Sequence, residues 1–218
     1  MFSVFCVVAV VYETAFTRKA RRAQVGKRQD PLKSMAPTDQ LKAEHEKILI
    51  LLGILERICA WHEAKRDINP FYLGQAIEFM KIFVDKFHHG KEEDLLFPAM
   101  QKAGIRREPG PIGELMIDHI KGRSLARDMN LAAVRYKKYD QGASARFIES
   151  AKSYISLLIE HIRKEDEIYF PMAEKALSEM QKKELLGSFE EFEKTETGRK
   201  EHASMLQILR TLEHTFLH

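Results

Sequence analysis

The sequence contains very little cysteine: only Cys6 and Cys59 occur in 218 residues, far apart along the chain. A disulfide-stapled fold needs several pairs, so that class is excluded, and nothing indicates an oxidising compartment. A zinc site built from cysteine is excluded too, because its ligands are missing. Metal chemistry in this chain therefore depends on histidine, aspartate and glutamate.

The sequence also lacks a strong excess of positive charge where it is expected to fold. Residues 1–34 contain 7 Lys and Arg against 2 Asp and Glu, whereas residues 35–218 contain 28 against 30. The folded part is slightly acidic and offers no basic field to attract nucleic acid, so we expect no nucleic-acid partner. The 44% hydrophobic and 31% charged residues are typical of a soluble globular protein.

No apolar run is long enough to cross a bilayer, which needs about 20 residues. The run from Phe2 to Tyr12 is short, no basic segment precedes it, and no convincing small-residue cleavage site follows it. We treat residues 1–34 as a leader with three interpretations: a start codon assigned upstream of Met35, a signal-like or surface-associating segment, or a disordered tail. We predict no membrane span and a cytoplasmic protein.

From Thr38 onwards, apolar residues recur at helical spacing and no segment alternates for long with a period of two. The pattern predicts an all-α protein with four long helices. Thr38 is the predicted cap of the first helix, and Asn69, followed by Pro70, is the predicted cap of the second. The predicted ranges are about 39–61, 69–104, 111–139 and 144–177, with Pro111 opening the third helix and residues 140–143 as the last link.

Links this short force successive helices to be antiparallel neighbours. The sequence therefore predicts an up-down-up-down four-helix bundle over residues 38–178. A charged piece, 179–194, and an amphipathic stretch, 199–218, follow it. We interpret residues 179–218 as one or two appended C-terminal helices.

An internal repeat indicates where the chemistry lies. Residues 88–98, HHGKEEDLLFP, align with residues 161–171, HIRKEDEIYFP, at an offset of 73. At an offset of 74, residues 41–47, LKAEHEK, align with residues 115–121, LMIDHIK. The predicted bundle is therefore two copies of one helical hairpin, each with a lone histidine on its first helix and a His-x-x-x-Glu on its second.

The spacing within the repeat points to a metal site. Four residues of α-helix turn about 400° and rise about 6 Å, which places each histidine beneath its glutamate on one face. A single buried histidine is more often an ordinary core residue, but buried charge is costly unless paired or metal-bound, and here the pattern recurs in both halves. The predicted metal ligands are His45, His88, Glu92, His119, His161 and Glu165.

Six such ligands exceed what one ion needs. With both carboxylates bridging, they fill about eight of the twelve positions of two octahedral ions, and an oxo or hydroxo bridge fills two more. About two positions stay open to a small ligand or water, which is the condition for chemistry. Histidine and carboxylate ligands suit Fe, Mn, Co and Zn alike, so the ligand set does not select the metal.

A second pair, His89 with Glu93, has the same spacing as the pair assigned above. Alignment on the Phe-Pro sequence that ends each repeat matches His89 with Ile162, so we expect His89 to point about 100° away from the site. Pro98 and Pro171 each remove a backbone hydrogen bond, so we expect them to kink or end their helices.

These residues resemble the hemerythrin-like, or HHE cation-binding, family. The resemblance spans about residues 41–177: its pattern of His, His-x-x-x-Glu, His, His-x-x-x-Glu is present, and the segments KEEDLLFP, GPIG and KEDxxxFP are typical of bacterial members. It implies a non-haem centre of two iron ions, held by the six residues named above, that binds oxygen-derived or nitrogen-oxide ligands. Iron is thus implied by the resemblance, and Mn or Zn stays open.

The chain differs from the oxygen-carrying hemerythrins in two places. Arg123 stands where they have a second third-helix histidine, and His161-x-x-x-Glu165 replaces their His-x-x-x-x-Asp. One iron thus loses a ligand, which disfavours reversible oxygen carriage and favours sensing, redox chemistry or iron handling. The N-terminal cysteine pair of the iron-sulfur repair relatives is absent.

Three functions are consistent with the sequence. The leading interpretation is a di-iron protein that binds or senses dioxygen, peroxide or nitric oxide, or handles iron. The alternative is a di-iron oxidoreductase acting on the same small molecules. A third is a purely structural bundle whose segment 179–218 contacts an unknown protein partner.

Overall fold

The computed structural model describes residues 36–136, 142–194 and 196–218. Every regular element in these ranges is helical, so the prediction of an all-α protein is confirmed. The leader and the predicted helix end at Tyr139 lie outside the described residues. The elements are α1 (Pro37–Glu63), α2 (Pro70–Phe79), π1 (Met80–His89), π2 (Glu92–Leu96), α3 (Phe97–Lys102), α4 (Pro111–Tyr136), α5 (Ala143–Lys164), π3 (Glu165–Tyr169), α6 (Phe170–Ala176), α7 (Glu179–Glu193) and α8 (Glu196–Leu217).

Two helix starts follow from local sequence signals. The Asn69 side chain accepts a hydrogen bond from the Phe71 N–H at 3.0 Å, and Pro70 occupies the first turn of α2. Helix α4 begins at Pro111, as predicted. In both cases proline supplies a backbone angle suited to the first turn, where its missing N–H is not needed.

The prediction that Thr38 caps the first helix is wrong. Helix α1 begins two residues earlier than predicted, at Pro37, and the Asp39 carboxylate accepts the Ala36 N–H at 3.1 Å. Thr38 is buried, and its hydroxyl donates to Glu174 at 2.8 Å. Proline at the first helical position moves the helix start ahead of the threonine.

Neither Pro98 nor Pro171 ends its helix. The chain stays helical from Pro70 to Lys102 and from Ala143 to Ala176, and we call these stretches the second and fourth long helices. A π-helical segment instead precedes each proline. The Phe97 N–H donates a hydrogen bond to the Glu92 carbonyl, and the Phe170 N–H donates one to the Glu165 carbonyl. In each case the acceptor is five residues earlier in the chain. Because proline clashes with the carbonyl four residues before it, the wider π turn is the local response to Phe-Pro.

Two hydrophobic clusters form the core, and a polar layer separates them along each long helix. On α1, Leu41 belongs to the smaller cluster and Ile48 to the larger one. On the second long helix the order is reversed, with Val84 in the larger cluster and Leu96 in the smaller one. The buried histidines and glutamates lie between these positions, so apolar packing closes the layer from both ends.

In the described ranges 179–194 and 196–218, two helices, α7 and α8, pack on the body of the protein. Leu185 and Phe189 of α7 are buried in the smaller cluster, and Leu212 and Phe216 of α8 are buried in the larger one. Each buried side chain of this size contributes about 1.5–3 kcal/mol. The appended segment is therefore part of the hydrophobic core. Among the residues with described structure, we find no helix with the length and apolar character that a membrane span requires.

Candidate metal centre

All six predicted ligands are buried in the polar layer, and none is more than 2% exposed. They come from four helical stretches that are distant in sequence: α1, the second long helix, α4 and the fourth long helix. The structure arranges their side chains in two adjacent groups that share Glu92. Burial of this many ionisable groups demands compensating partners.

The first group consists of His45, His88, Glu92 and Glu165, with one nitrogen or oxygen of each within 4.8 Å of the others. His45 Nε2 lies 3.1 Å from His88 Nε2 and 3.1 Å from Glu165 Oε2. Atoms bound about 2 Å from one ion at right angles lie about 3 Å apart. The spacing of this group therefore fits a metal ion.

The second group consists of His89, Glu92, His119 and His161, with ligand atoms again within 4.8 Å of one another. His119 Nε2 lies 3.2 Å from His161 Nε2 and 3.4 Å from Glu92 Oε2. The same argument from ligand spacing applies here. The site thus has room for a second ion.

Both carboxylates face both groups. Glu92 Oε1 lies 3.7 Å from His88 Nε2, while its Oε2 faces His119 in the second group. Glu165 Oε2 faces His45, while its Oε1 lies 3.3 Å from His161 Nε2. Each carboxylate thus directs one oxygen to each group, which is the arrangement that a bridging ligand needs.

The expectation that His89 points away from the site is wrong. His89 is 3% exposed, and its ring stacks on His119 with centroids 3.9 Å apart. The expectation assumed α-helical geometry, but His88 and His89 end the π-helical segment π1. Hydrogen bonds to the fifth residue widen the turn, so neighbouring side chains diverge less and one histidine reaches each group. The adjacent pair of histidines was the available signal.

Several buried atoms at the centre make no hydrogen bond among the described residues. They are both oxygens of Glu92, both oxygens of Glu165, both ring nitrogens of His89 and Nδ1 of His161. Buried carboxylates without donors are costly, whereas a bound cation would satisfy them. The donor set, imidazole nitrogen with carboxylate oxygen, suits a first-row transition metal. The residues present therefore fit a metal centre.

Four histidines have a carboxylate at the second ring nitrogen, Nδ1. The pairs are His45 with Asp166 at 2.9 Å, His88 with Glu44 at 3.0 Å, His119 with Glu93 at 2.6 Å and His161 with Asp118 at 3.7 Å. The last distance is too long for a hydrogen bond. In the other three pairs the carboxylate accepts the Nδ1 proton, so Nε2 is free to bind metal.

Three of these carboxylates, Glu44, Asp118 and Asp166, were not among the predicted functional residues. The repeat held the signal, because Glu44 aligns with Asp118, each directly before its histidine. Glu93 aligns with Asp166 in the same way, each directly after its glutamate. The outer carboxylates are therefore repeated with the inner site.

The carboxylates keep two of the imidazoles protonated when no metal competes. Burial lowers the pKa of His45, but Asp166 and Glu165 raise it to about 10. Burial likewise lowers the pKa of His119, but Glu92 and Glu93 raise it to about 9. Since a metal binds the neutral ring, metal binding at neutral pH has to displace these protons.

Arg123 contacts two carboxylates beside the second group of ligands. Its Nε donates to Asp85 Oδ1 at 2.6 Å, and its Nη2 donates to Glu93 Oε1 at 2.6 Å. The same Glu93 oxygen lies 2.6 Å from His119 Nδ1. Arg123 therefore orients Glu93, which in turn orients His119.

Comparison with known proteins identifies the family of this chain. Three uncharacterized proteins, one from Mycobacterium bovis and two from strains of Mycobacterium tuberculosis, are 25% identical over 170 residues, which is 75% of this chain. The chain spans 63% of the length of these relatives. No solved structure matches it significantly. The model of the hemerythrin HHE cation binding domain matches residues 36–173, and the chain therefore belongs to this family.

Proposed function

We propose that this chain is a non-haem di-iron protein that binds or senses a small ligand such as dioxygen, peroxide or nitric oxide, or that handles iron. The observation that carries the proposal is the set of buried carboxylate oxygens and imidazole nitrogens without hydrogen bonds. Iron is proposed from family membership, because this donor set alone also suits manganese and zinc. Bound iron would supply a redox-active centre with room for a small ligand.

We assign seven side chains to the two ions. His45 and His88 would hold the first ion, and His89, His119 and His161 would hold the second. Glu92 and Glu165 would bridge them, since each directs one oxygen to each group. Five imidazoles and two bridging carboxylates fill about nine of the twelve positions of two octahedral ions. The first ion has fewer imidazoles, so we place the exchangeable ligand there.

The chain's own side chains prepare this site in two ways. Asp166 accepts the Nδ1 proton of His45 and Glu44 accepts that of His88, which directs both Nε2 atoms toward the first ion. The apolar clusters lie on either side of the layer and bury it. A small ligand therefore meets a centre whose ligands are already oriented.

We also propose that residues 38–178 form an up-down-up-down four-helix bundle made of two helical hairpins. The order of the two core clusters along the chain supports it. Helices α1 and α4 run from the smaller cluster to the larger, with Leu41 before Ile48 and Leu115 before Met129. The second and fourth long helices run in the opposite sense. Two further statements stay predictions: that the protein has no nucleic-acid partner, and that it is cytoplasmic.

Metal analysis tests the proposal directly. Protein purified without added metal is assayed for all first-row metals, and its absorption spectrum is recorded in air. We expect about two iron ions per chain and a ligand-dependent visible band. A matched control, His214→Gln, changes an exposed histidine and should keep both ions. Two zinc ions, or no metal in soluble folded protein, would contradict the assignment.

A second assay separates binding from catalysis. Iron-loaded protein is mixed with peroxide, dioxygen or nitric oxide, and both the spectrum and the substrate concentration are followed. A binder or sensor gives a stable adduct, whereas the alternative, an oxidoreductase, consumes substrate far beyond its iron stoichiometry. Removal of iron should abolish either property. A purely structural bundle that contacts a protein partner through residues 179–218 would keep its function without iron.

A further inference from the structure

Helix α4 presents exposed apolar side chains along one side. Seven large apolar side chains are exposed in the described part of the chain, and four of these lie on α4. The four are Ile117, Ile120, Leu131 and Val134, each between 50% and 60% exposed. Isolated exposed apolar residues are ordinary, but several on one helix are typical of a surface that another molecule covers.

The four side chains follow a heptad spacing. Ile117 and Ile120 form one pair, and Leu131 and Val134 form an equivalent pair two heptads later in the chain. Residues that repeat with this period lie along one stripe of a helix, and we call this one the apolar stripe. Such a stripe is the pattern of a helix that packs along its length against another helix. The chemistry of the stripe therefore fits a helical partner.

The apolar stripe reads the same from both ends. Ile117 and Val134 are equally far from its midpoint, between residues 125 and 126, and so are Ile120 and Leu131. If two copies of α4 pack antiparallel about a two-fold axis at this midpoint, apolar side chains meet apolar side chains at both ends. A two-fold interface requires this kind of self-complementary surface. The stripe thus fits a second copy of the chain.

The centre of the apolar stripe distinguishes antiparallel from parallel packing. Antiparallel packing places Ser124 opposite the exposed Arg127 of the second copy, where the hydroxyl can accept a hydrogen bond from the guanidinium. Parallel packing would align each residue with its own counterpart, so two Arg127 side chains would face each other. Like charges at a contact are unfavourable. The antiparallel arrangement is therefore the favoured one.

A row of charges beside the apolar stripe has the same symmetry. Glu114, Lys121, Asp128 and Arg135 are all exposed, follow one another at intervals of seven residues and alternate in sign. Asp128 and Arg135 form no ion pair with another residue of the described ranges. In the antiparallel pair Glu114 faces Arg135 of the second copy, and Lys121 faces Asp128 of the second copy. Every facing pair on this flank then has opposite charges.

We propose that the chain forms a two-fold symmetric dimer in which α4 packs antiparallel on α4 of a second copy. The 22 residues from Glu114 to Arg135 span about 33 Å of helix. A contact of this length and one helix wide is at the lower end of the size range of specific interfaces, so we expect a dissociation constant of about 1–100 µM. The dimer does not depend on a bound metal, so its failure would leave the proposed function intact.

Sedimentation velocity of the full chain, from about 1 to 200 µM, tests for the dimer. We expect the sedimentation coefficient to rise with concentration. Leu131→Lys should weaken self-association by at least about tenfold, because the new charge faces Ile120 of the second copy. The matched control is Met180→Lys, since Met180 is 70% exposed on α7, outside the proposed interface. Both variants should keep the wild-type far-ultraviolet circular dichroism. A wild-type monomer at every concentration, or a dimer that Leu131→Lys leaves intact, would overturn the proposal.

Charge exchange tests the antiparallel arrangement. Lys121→Glu alone places two carboxylates opposite each other, and Asp128→Lys alone places two ammonium groups opposite each other. Each variant should self-associate about tenfold more weakly than the wild-type protein at low salt. Mixed together, with one variant carrying a fluorescent label, the two should form a heterodimer about as stable as the wild-type dimer, because every facing pair again has opposite charges. If the mixture associates no better than each variant alone, the antiparallel arrangement is wrong.

Discussion

Lys91 Nζ donates to Glu193 Oε1 at 2.5 Å, and this contact joins α7 to the helix that carries three of the proposed ligands. Lys91 is fully buried and also donates to Glu44, whose other oxygen lies 3.0 Å from His88 Nδ1. Helix α7 lies beyond the family match, which ends at residue 173. A segment outside the family domain thus contacts the candidate metal centre through the buried Lys91.

Replacing Lys91 tests how much this network stabilises the fold. In Lys91→Met the buried carboxylate of Glu44 loses its cation, and we expect the free energy of unfolding to fall by about 3–5 kcal/mol. The control is Lys86→Met, since Lys86 also contacts an appended helix, at 2.5 Å from Glu201, but is half exposed. Lys86→Met should lower the free energy of unfolding by less than about 1 kcal/mol. If urea titrations gave both variants the same loss in free energy of unfolding, the buried network would contribute no more than an exposed ion pair.

Glu92 and Glu93 are neighbours, but we expect their replacement to have different effects. Glu92→Gln removes a charge that faces both groups, so at least one metal should be lost. Glu93→Gln only weakens the hydrogen bond to His119 Nδ1, so we expect the metal affinity to fall by about 10 to 100-fold. The number of metal ions per chain, measured after dialysis, distinguishes the two variants. The reverse result would mean that Glu93 binds the metal and Glu92 supports it.

His89 is assigned as a ligand because it lies in the second group and neither of its ring nitrogens has a hydrogen-bond partner among the described residues. We expect His89→Gln to lower the metal content from two ions per chain toward one, because the second group loses one of its three imidazoles. His202→Gln is the control, since His202 is partly buried and packs against Phe83 and Phe87 without joining either group. Two tightly bound ions in His89→Gln would remove His89 from the ligand set.

Glu56 should make stability depend on pH. Burial raises its pKa from 4.5 to about 7, so between these values the folded chain holds a proton that the unfolded chain has released. Stability therefore falls as pH rises from about 4.5 to 7. We expect Glu56→Gln to remove this dependence and to stabilise the protein at pH 8 by about 1 kcal/mol, a value reduced for partial exposure.

The control for this prediction is Glu78→Gln, which changes an exposed carboxylate on α2. Urea unfolding at pH 5 and pH 8 gives the comparison. The Glu78 variant should follow the wild-type protein at both values. A Glu56 variant with the wild-type pH dependence would show that Glu56 is ionised in the folded protein across this range.

The sequence alone predicted the helical class and the helix starts at Pro70 and Pro111, because these depend on local backbone properties. It also predicted which six side chains gather in one buried layer. Repeated spacing in two hairpins carries that information, since residues four apart share a helix face. The same assumption failed for His89, where a π-helical segment replaces the α-helix.

Only the tertiary structure decided how the outer residues complete the centre. Lys91 and Glu193 are separated by 102 residues, and no local periodicity relates them. Their contact exists because α7 packs Leu185 and Phe189 into the smaller hydrophobic cluster and so brings Glu193 to the buried lysine. The sequence by itself determined which side chains lie together on one face of each helix. Which faces meet was decided by the packing of all helices together, because burial of apolar surface depends on the whole fold.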